Sequence, residues 1–249
     1  MMKQYTQKFY ENRHSLTKYS SEKALTVLLE SFPTINSACD VGCGVGTWLS
    51  VLRKKGIKDV KGFDGNWVDL KLLEIPVEMF QPVDLSEEIR AAPVRRYDLA
   101  ISLEVAEHLP MEQARAFVSY LTRLSDTVLF SAAIPGQGGI EHLNEQWQSY
   151  WAMLFVEAGY AVADIIRPKL LKDRKILPQY RQNIIVYAKK DAPAFDALAS
   201  VTPSASSADP SCKPLPLDLR LPELYGVKEG MSCFFRASET YVKRMFKRG

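Results

Sequence analysis

Cysteine is scarce. The 249-residue chain has four, Cys39, Cys43, Cys212 and Cys233, with no paired metal-binding spacing. That excludes a thiolate zinc module and points to a reduced, cytoplasmic protein. Long apolar runs are missing too. Nothing approaches the roughly 20 residues that cross a bilayer, and the first residues lack the apolar stretch of a secretion signal. Charge is nearly balanced, 32 Lys and Arg against 29 Asp and Glu, for a net +3. Such a balance lacks the concentrated basic footprint of a nucleic-acid enzyme, so no nucleic-acid partner is favoured. What the chain does have is an apolar fraction of 47%, enough to core one large α/β domain with extensions.

Glycine is concentrated at one informative place. Asp40-Val41-Gly42-Cys43-Gly44-Val45-Gly46 follows a short apolar run and precedes the helix-forming run Thr47–Lys55. A strand that turns over glycines into a helix N-terminus brings backbone N–H groups up to a nucleotide-like ligand. The dinucleotide fingerprint G-x-G-x-x-G/A would put its third small residue at Thr47. Here the third glycine comes one residue early, at Gly46, and an acid stands two residues before the first. The pattern therefore departs from that of NAD enzymes.

Further polar positions recur after each later strand. Val60–Asp64 runs into Gly65-Asn66-Trp67. Asp64 falls near the place where βαβ units set a carboxylate on ribose hydroxyls, with a plain Asp-Gly turn as the alternative. Asp84-Leu85 follows a third strand, and Asp84 suits either a ligand contact or the N-cap of a helix starting near Ser86. A fourth strand, Tyr97–Ser102, leads into Leu103-Glu104-Val105-Ala106-Glu107-His108-Leu109-Pro110. Strands one and four flank the crevice where open α/β sheets bind ligands. Glu104, Glu107 and His108 fall there at i, i+3 and i+4, one face of a helical turn. Two carboxylates and an imidazole suit Mg²⁺ or a similar divalent ion.

In order, these features resemble the class I S-adenosylmethionine (SAM) methyltransferases, whose motif I reads D/E-x-G-x-G-x-G. The resemblance implies an α/β, Rossmann-like fold: a seven-stranded, mostly parallel sheet with helices on both faces and an antiparallel last strand. It implies SAM as cofactor, with Tyr10, Asp40, Gly42, Cys43, Gly44, Gly46, Asp64, Gly65, Trp67, Asp84, Leu85, Ser102 and Leu103 as its contacts. The Glu-x-x-Glu-His run resembles that of ubiquinone-pathway O-methyltransferases and small-RNA 3′-terminal ribose 2′-O-methyltransferases, in which it binds a divalent metal. The RNA enzymes add a histidine after the fifth strand. Here that strand is Thr127–Ile134, and His142 follows a glycine-rich segment, ahead of Glu145 and Trp147. The implied metal set is Glu104, Glu107, His108 and His142. Without a metal, His108 or His142 would act as general base, with Glu104 beside it, and both readings stay open. The implied activity is methyl transfer to a hydroxyl of a sugar or other polyhydroxylated small molecule. A terminal ribose of RNA, a non-catalytic SAM-binding scaffold and an NAD-dependent enzyme are the competing readings.

Along the chain, residues 1–36 read as an N-terminal helical lid, with a capped amphipathic helix from Ser20-Ser21 and with Tyr10 and Arg13 as lid candidates. Residues 37–190 read as the SAM-binding core, with helices over Glu112–Leu124 and Glu145–Glu157 and a closing antiparallel pair at Tyr160–Ile166 and Asn183–Ala188. The cation-rich connector Arg167–Gln182 suits an anionic substrate, or else a solvated charge run. Residues 191–249 read as an Ala/Ser/Pro-rich linker and a basic, amphipathic extension. That extension suits a protein partner or packing on the core, or a peripheral contact with an anionic membrane surface.

Overall fold

The protein is described by a computed structural model covering residues 7–89, 95–139, 141–192 and 217–221. Seven strands form one sheet: β1 Ser37–Val41, β2 Asp59–Asp64, β3 Phe80–Pro82, β4 Leu99–Leu103, β5 Thr127–Ser131, β6 Tyr160–Ala163 and β7 Ile185–Lys189. Their spatial order is β3-β2-β1-β4-β5-β7-β6, with β7 antiparallel to both neighbours and all other pairs parallel. β4 and β5 are buried along their whole length, as strands covered on both faces must be. The chain steps outward from β1 in one direction and from β4 in the other. The carboxyl ends of β1 and β4 therefore border an open crevice.

Helices α1 (Gln7–Ser31) and α2 (Thr47–Lys54) cover one face, and α4 (Ala114–Leu124) and α5 (Gln148–Glu157) the other, with the short α3 (Leu85–Glu88) between them in sequence. One core gathers Leu25, Leu28, Leu49 and Ile101; the other gathers Phe117, Leu121, Phe130 and Phe155. The β6–β7 connection holds two short helices, α6 (Arg167–Leu170) and α7 (Pro178–Asn183). Among the described residues, no helix is long and apolar enough to cross a membrane.

Three local readings change, and one segment of the extension is found on the core. The helix expected from Ser20 is instead Gln7–Ser31. Ser20 and Ser21 sit mid-helix, fully buried, and donate back to the carbonyls of Leu16 and Lys18. Such back-bonding satisfies a hydroxyl within a helix as well as capping does at its end. The helix expected from Glu145 begins at Gln148, because the chain before it is tied down elsewhere: Leu143 and Asn144 donate to Glu107 O, and Gln146 to Ala133 O. The connector's cations are not all solvated. Arg167, fully buried, makes a paired contact with Asp164, and the buried Arg181 donates to the carbonyls of Ile176 and Leu171. Finally, residues 217–221 lie on the core, beside α5 and α7. Cys212, Cys233 and the basic segment after Ser232 fall outside the described residues, as do residues 193–216 of the linker.

Candidate active site

The glycine loop is the floor of a cleft of about 340 Å³ at the carboxyl end of β1, lined by Asp40, Gly42, Cys43, Gly44, Leu103 and others. All three loop glycines have positive φ, at 82°, 54° and 81°. A Cβ on Gly42 would sit 2.3 Å from Val105 Cγ2, and one on Gly46 2.9 Å from Ile75; at Gly44 it would meet nothing within 4 Å. Gly42 and Gly46 thus let the protein close on itself, while Gly44 keeps a space open. The Gly44 N–H donates to Asp64 Oδ2 at 2.6 Å and the Gly65 N–H to its Oδ1 at 2.7 Å. The loop and the end of β2 are thereby joined through one carboxylate. Gly65 also makes room for the ring of Trp67, which is 78% exposed.

Asp40 is buried but faces the cleft, and burial, then the nearby Asp64, pushes its carboxyl well above the ordinary range. A cationic ligand would relieve both effects. Burial, then Asp40 and Asp64, also pushes the Cys43 thiol up, which removes thiolate chemistry from the loop. These features suit SAM, with its positive sulfonium and ammonium groups: a buried carboxylate facing the cleft, an open position at Gly44 and an acid at the end of β2 tied to the loop.

The other expected contacts divide. Leu103 lines the cleft. The Ser102 hydroxyl is fully buried and donates to Val41 O, bracing β4 against β1. Asp84 immediately precedes α3, where its carbonyl accepts from Glu87 N, and Leu85 begins that helix. Tyr10 lies on α1, but its side chain is outside the described ones. His14, Thr17, Thr47, Trp48 and Tyr180 also line the cleft, and sequence reasoning did not select them. The spacing Tyr10, His14, Thr17 is i, i+4, i+7 on one helix, the signal that could have found two of them. Trp48 and Tyr180 meet edge to face at 5.2 Å, a contact between distant segments that no local pattern encodes.

Across the crevice, the turn after β4 and the loop after β5 bring two histidines together. The rings of His108 and His142 stand 5.0 Å apart and near-perpendicular. Ligand atoms of Glu107, His108 and His142 all lie within 4.8 Å of one another. His142 Nδ1 is 2.9 Å from Glu145 Oε1, and Glu145 also accepts from the amides of Gly136 and Gly138 at 2.7 and 2.9 Å. Glu145 thus occupies Nδ1 of the imidazole, and the other nitrogen, Nε2, lies against Gly139, where a Cβ would sit 2.1 Å from it. Glu107 is 1% exposed, and among the described residues neither carboxylate oxygen has a hydrogen-bond partner. Burial, then the Glu104 carboxylate, pushes its carboxyl up to about 9, although the amides of Glu107 and Ala133 lie near enough to oppose the shift.

Glu104 stands outside that triad. Its Oε2 accepts from Gln137 Nε2 at 2.6 Å and its Oε1 from Asn183 Nδ2 at 3.1 Å. Its φ is 57°, and that of Glu141, in the loop carrying His142, is 58°. Left-handed backbone at non-glycine residues is uncommon and clusters at functional sites.

A methyltransferase-domain family matches residues 8–164. A curated relative, the magnesium-protoporphyrin O-methyltransferase of Synechocystis, is 30% identical over 111 residues, which cover 43% of this chain and 48% of that protein. The match thus spans about half the length of that relative. The crystal structure of the Synechocystis magnesium protoporphyrin IX methyltransferase with bound SAM superposes with a TM-score of 0.53 at 18% identity, covering 74% of this chain and 85% of the other. CalS10, an amino pentose methyltransferase from Micromonospora echinaspora, was also solved with SAM. It gives a TM-score of 0.52 at 13% identity, covering 76% and 99% of the two chains. With the matched residues spanning well over half of it, the chain belongs to the methyltransferase-domain family, in its class I, S-adenosylmethionine-dependent fold.

Proposed function

We propose that this chain transfers a methyl group from SAM to a hydroxyl of a sugar or other polyhydroxylated small molecule. The observation that supports the reading is the Glu145–His142 pair on the loop after β5, with the His142 ring against that of His108 on the turn after β4. When bound, SAM supplies an electrophilic methyl group on an already good leaving group. The difficulty lies with the hydroxyl, which is almost fully protonated at neutral pH. His142 Nε2, with Nδ1 held by Glu145, accepts that proton, a contribution of about 10²–10⁴-fold. Glu104 offers a carboxylate to a neighbouring hydroxyl of the acceptor and so helps orient it. The curated relative's O-methyl chemistry agrees with this reading, and the CalS10 neighbour is a precedent for a sugar acceptor on the same fold.

A second reading of the nucleophile rests on Glu107. A buried carboxyl without hydrogen-bond partners, beside two imidazoles, is a donor set that a divalent cation completes. Glu107, His108 and His142 would hold the ion, which lowers a hydroxyl pKa when bound. Glu104, tied to Gln137 and Asn183, belongs to the acceptor side instead.

Release of S-adenosylhomocysteine should be followed with methyl glycosides, nucleoside-diphosphate sugars and a short RNA as probe acceptors. Turnover is expected with a sugar probe. His142→Ala should lower kcat about 100-fold or more while S-adenosylhomocysteine binding by calorimetry stays unchanged. Turnover of the RNA alone would move the acceptor to a terminal ribose, and binding without turnover of any probe would leave a scaffold. Loss of activity in EDTA, restored by Mg²⁺ or Mn²⁺, would decide for the metal.

A further inference from the structure

Residues 217–221 reach the acceptor side of the site by a directed chain of hydrogen bonds. Leu221 N donates to Gln182 Oε1 at 2.5 Å, and Gln182 Nε2 donates to Asn183 Oδ1 at 2.9 Å. Asn183 Nδ2 then donates both to Glu104 Oε1 and, at 2.9 Å, to Gln137 Oε1. Gln137 Nε2 closes the chain on Glu104 Oε2. One end is a backbone N–H, which can only donate. At the other, both carboxylate oxygens accept. Each intervening amide therefore has one orientation that completes the chain, and flipping any of them sets donor against donor or acceptor against acceptor.

The segment that starts the chain is held at every residue but one by a separate contact. Leu217 O accepts from the fully buried Arg167, Asp218 accepts from the N–H and hydroxyl of Ser149, Leu219 O accepts from Gln148, and Arg220 donates to Gly136 O. Gln182 and Asn183 are buried. None of Gln182, Asn183 and 217–221 lies within the residues matched by the family, which end at 164. Glu104 is the only charged member of the chain and the only one on the turn after β4.

We infer that residues 217–221 are a positioning element of the acceptor site: the Leu221 N–H, acting through Gln182 and Asn183, fixes the Glu104 carboxylate in the orientation that receives a hydroxyl of the acceptor. This rests on the reading of Glu104 as an acceptor contact. The relay fixes both of its oxygens, and a fixed carboxylate discriminates hydroxyl geometry in a way a freely rotating one does not. Leu221, Gln182 and Asn183 are positioning residues, and the catalytic proton transfer stays with His142.

The test is made in the full chain. Leu221→Pro deletes the N–H and keeps most of the apolar volume, whereas Leu221→Ala keeps the N–H and loses side-chain packing. Gln182→Glu still accepts from Leu221 and loses the donor to Asn183. Side-chain amide resonances of Gln137 and Asn183, read by ¹⁵N–¹H spectra and hydrogen exchange, report the relay with no acceptor present. Leu221→Pro and Gln182→Glu should shift these resonances and speed their exchange at least tenfold, with S-adenosylhomocysteine affinity within twofold of the parent. Leu221→Ala should leave them in place. With a sugar probe that turns over, the first two variants should raise KM roughly tenfold, the size expected of a lost hydrogen bond to a charged group, with kcat changing less. Unchanged amides in Gln182→Glu, or equal changes in Leu221→Ala, would overturn the relay. Moved amides with an unchanged KM would overturn its role in acceptor binding. If no sugar probe turns over, the functional reading fails, while the amide spectra still judge the relay.

Discussion

A methyl group added at Gly42 and one added at Gly44 have different consequences, and the difference separates stability from ligand binding. At Gly42 the new Cβ would collide with Val105 in a backbone that is already left-handed. At Gly44 it would meet nothing, so only the dihedral opposes it. Gly44→Ala should cost about 1 kcal/mol of folding stability, read by urea unfolding, and should weaken S-adenosylhomocysteine binding about tenfold or more by filling space a ligand uses. Gly42→Ala should cost about 3 kcal/mol, and adding Val105→Ala should recover part of that loss. Equal costs at the two positions would show that sterics at Val105 are relieved by local movement. Glu145 is a second residue with a separable effect. Its carboxylate holds His142 and two loop amides. Glu145→Gln should lower kcat about tenfold or more with no change in cofactor affinity. An unchanged kcat would mean that His142 is not oriented by it.

The helix α5 lacks a cap of its own, since Trp147 at its N-terminal boundary supplies no side-chain hydrogen bond. Asp218, 69 positions beyond Ser149, takes that role by accepting from Ser149 N at 2.8 Å. A carboxylate there also meets the positive end of the helix. Asp218→Ala should destabilise the protein by about 1 kcal/mol without touching the glycine loop. No loss of stability would mean that 217–221 does not hold α5 in solution. This contact also shows where sequence reading stops. The glycine loop, the acid ending β2, the β4 turn and the antiparallel last strand were legible, because each is a local pattern set by strand period, turn chemistry or spacing. His142 was singled out through its resemblance to the histidine that the RNA enzymes carry after the fifth strand, and the structure sets its ring against that of His108. Ser20-Ser21 misled because back-bonding serines mid-helix and capping serines look alike in sequence. Gln137, Gln182, Asn183 and Leu221 carry no local signature. They matter only because the loop after β5, α7 and a segment from the far end of the chain converge on Glu104.

Stability of the entire fold should carry a pH signature of Glu107. Its carboxyl ordinarily titrates near 4.5, and burial, then Glu104, pushes it up to about 9 in the folded state. Below the lower value the side chain is neutral in both states and contributes no pH dependence. Between the two values the folded protein keeps a proton that the unfolded chain has lost. The unfolded state then binds fewer protons, so stability falls as pH rises through this window and levels off above the folded value. Other groups titrate as well, which makes the comparison with Glu107→Gln the informative one, since glutamine keeps the shape and cannot ionise. In EDTA the two proteins should unfold at similar temperatures at pH 4.5. At pH 8.5 the glutamine variant should be the more stable by about 2 kcal/mol, a value discounted for relaxation and water entry around the buried group. A constant difference across that range would show that the carboxyl finds donors in solution. A divalent ion reverses the sign, because it binds the ionised form: Mg²⁺ or Mn²⁺ should raise the melting temperature of the parent protein increasingly from pH 6 to 8.5 and leave Glu107→Gln unmoved. If neither ion stabilises the parent at pH 8.5, Glu107, His108 and His142 do not hold Mg²⁺ or Mn²⁺, and the proposal of His142 as a metal-free base is the one left to test.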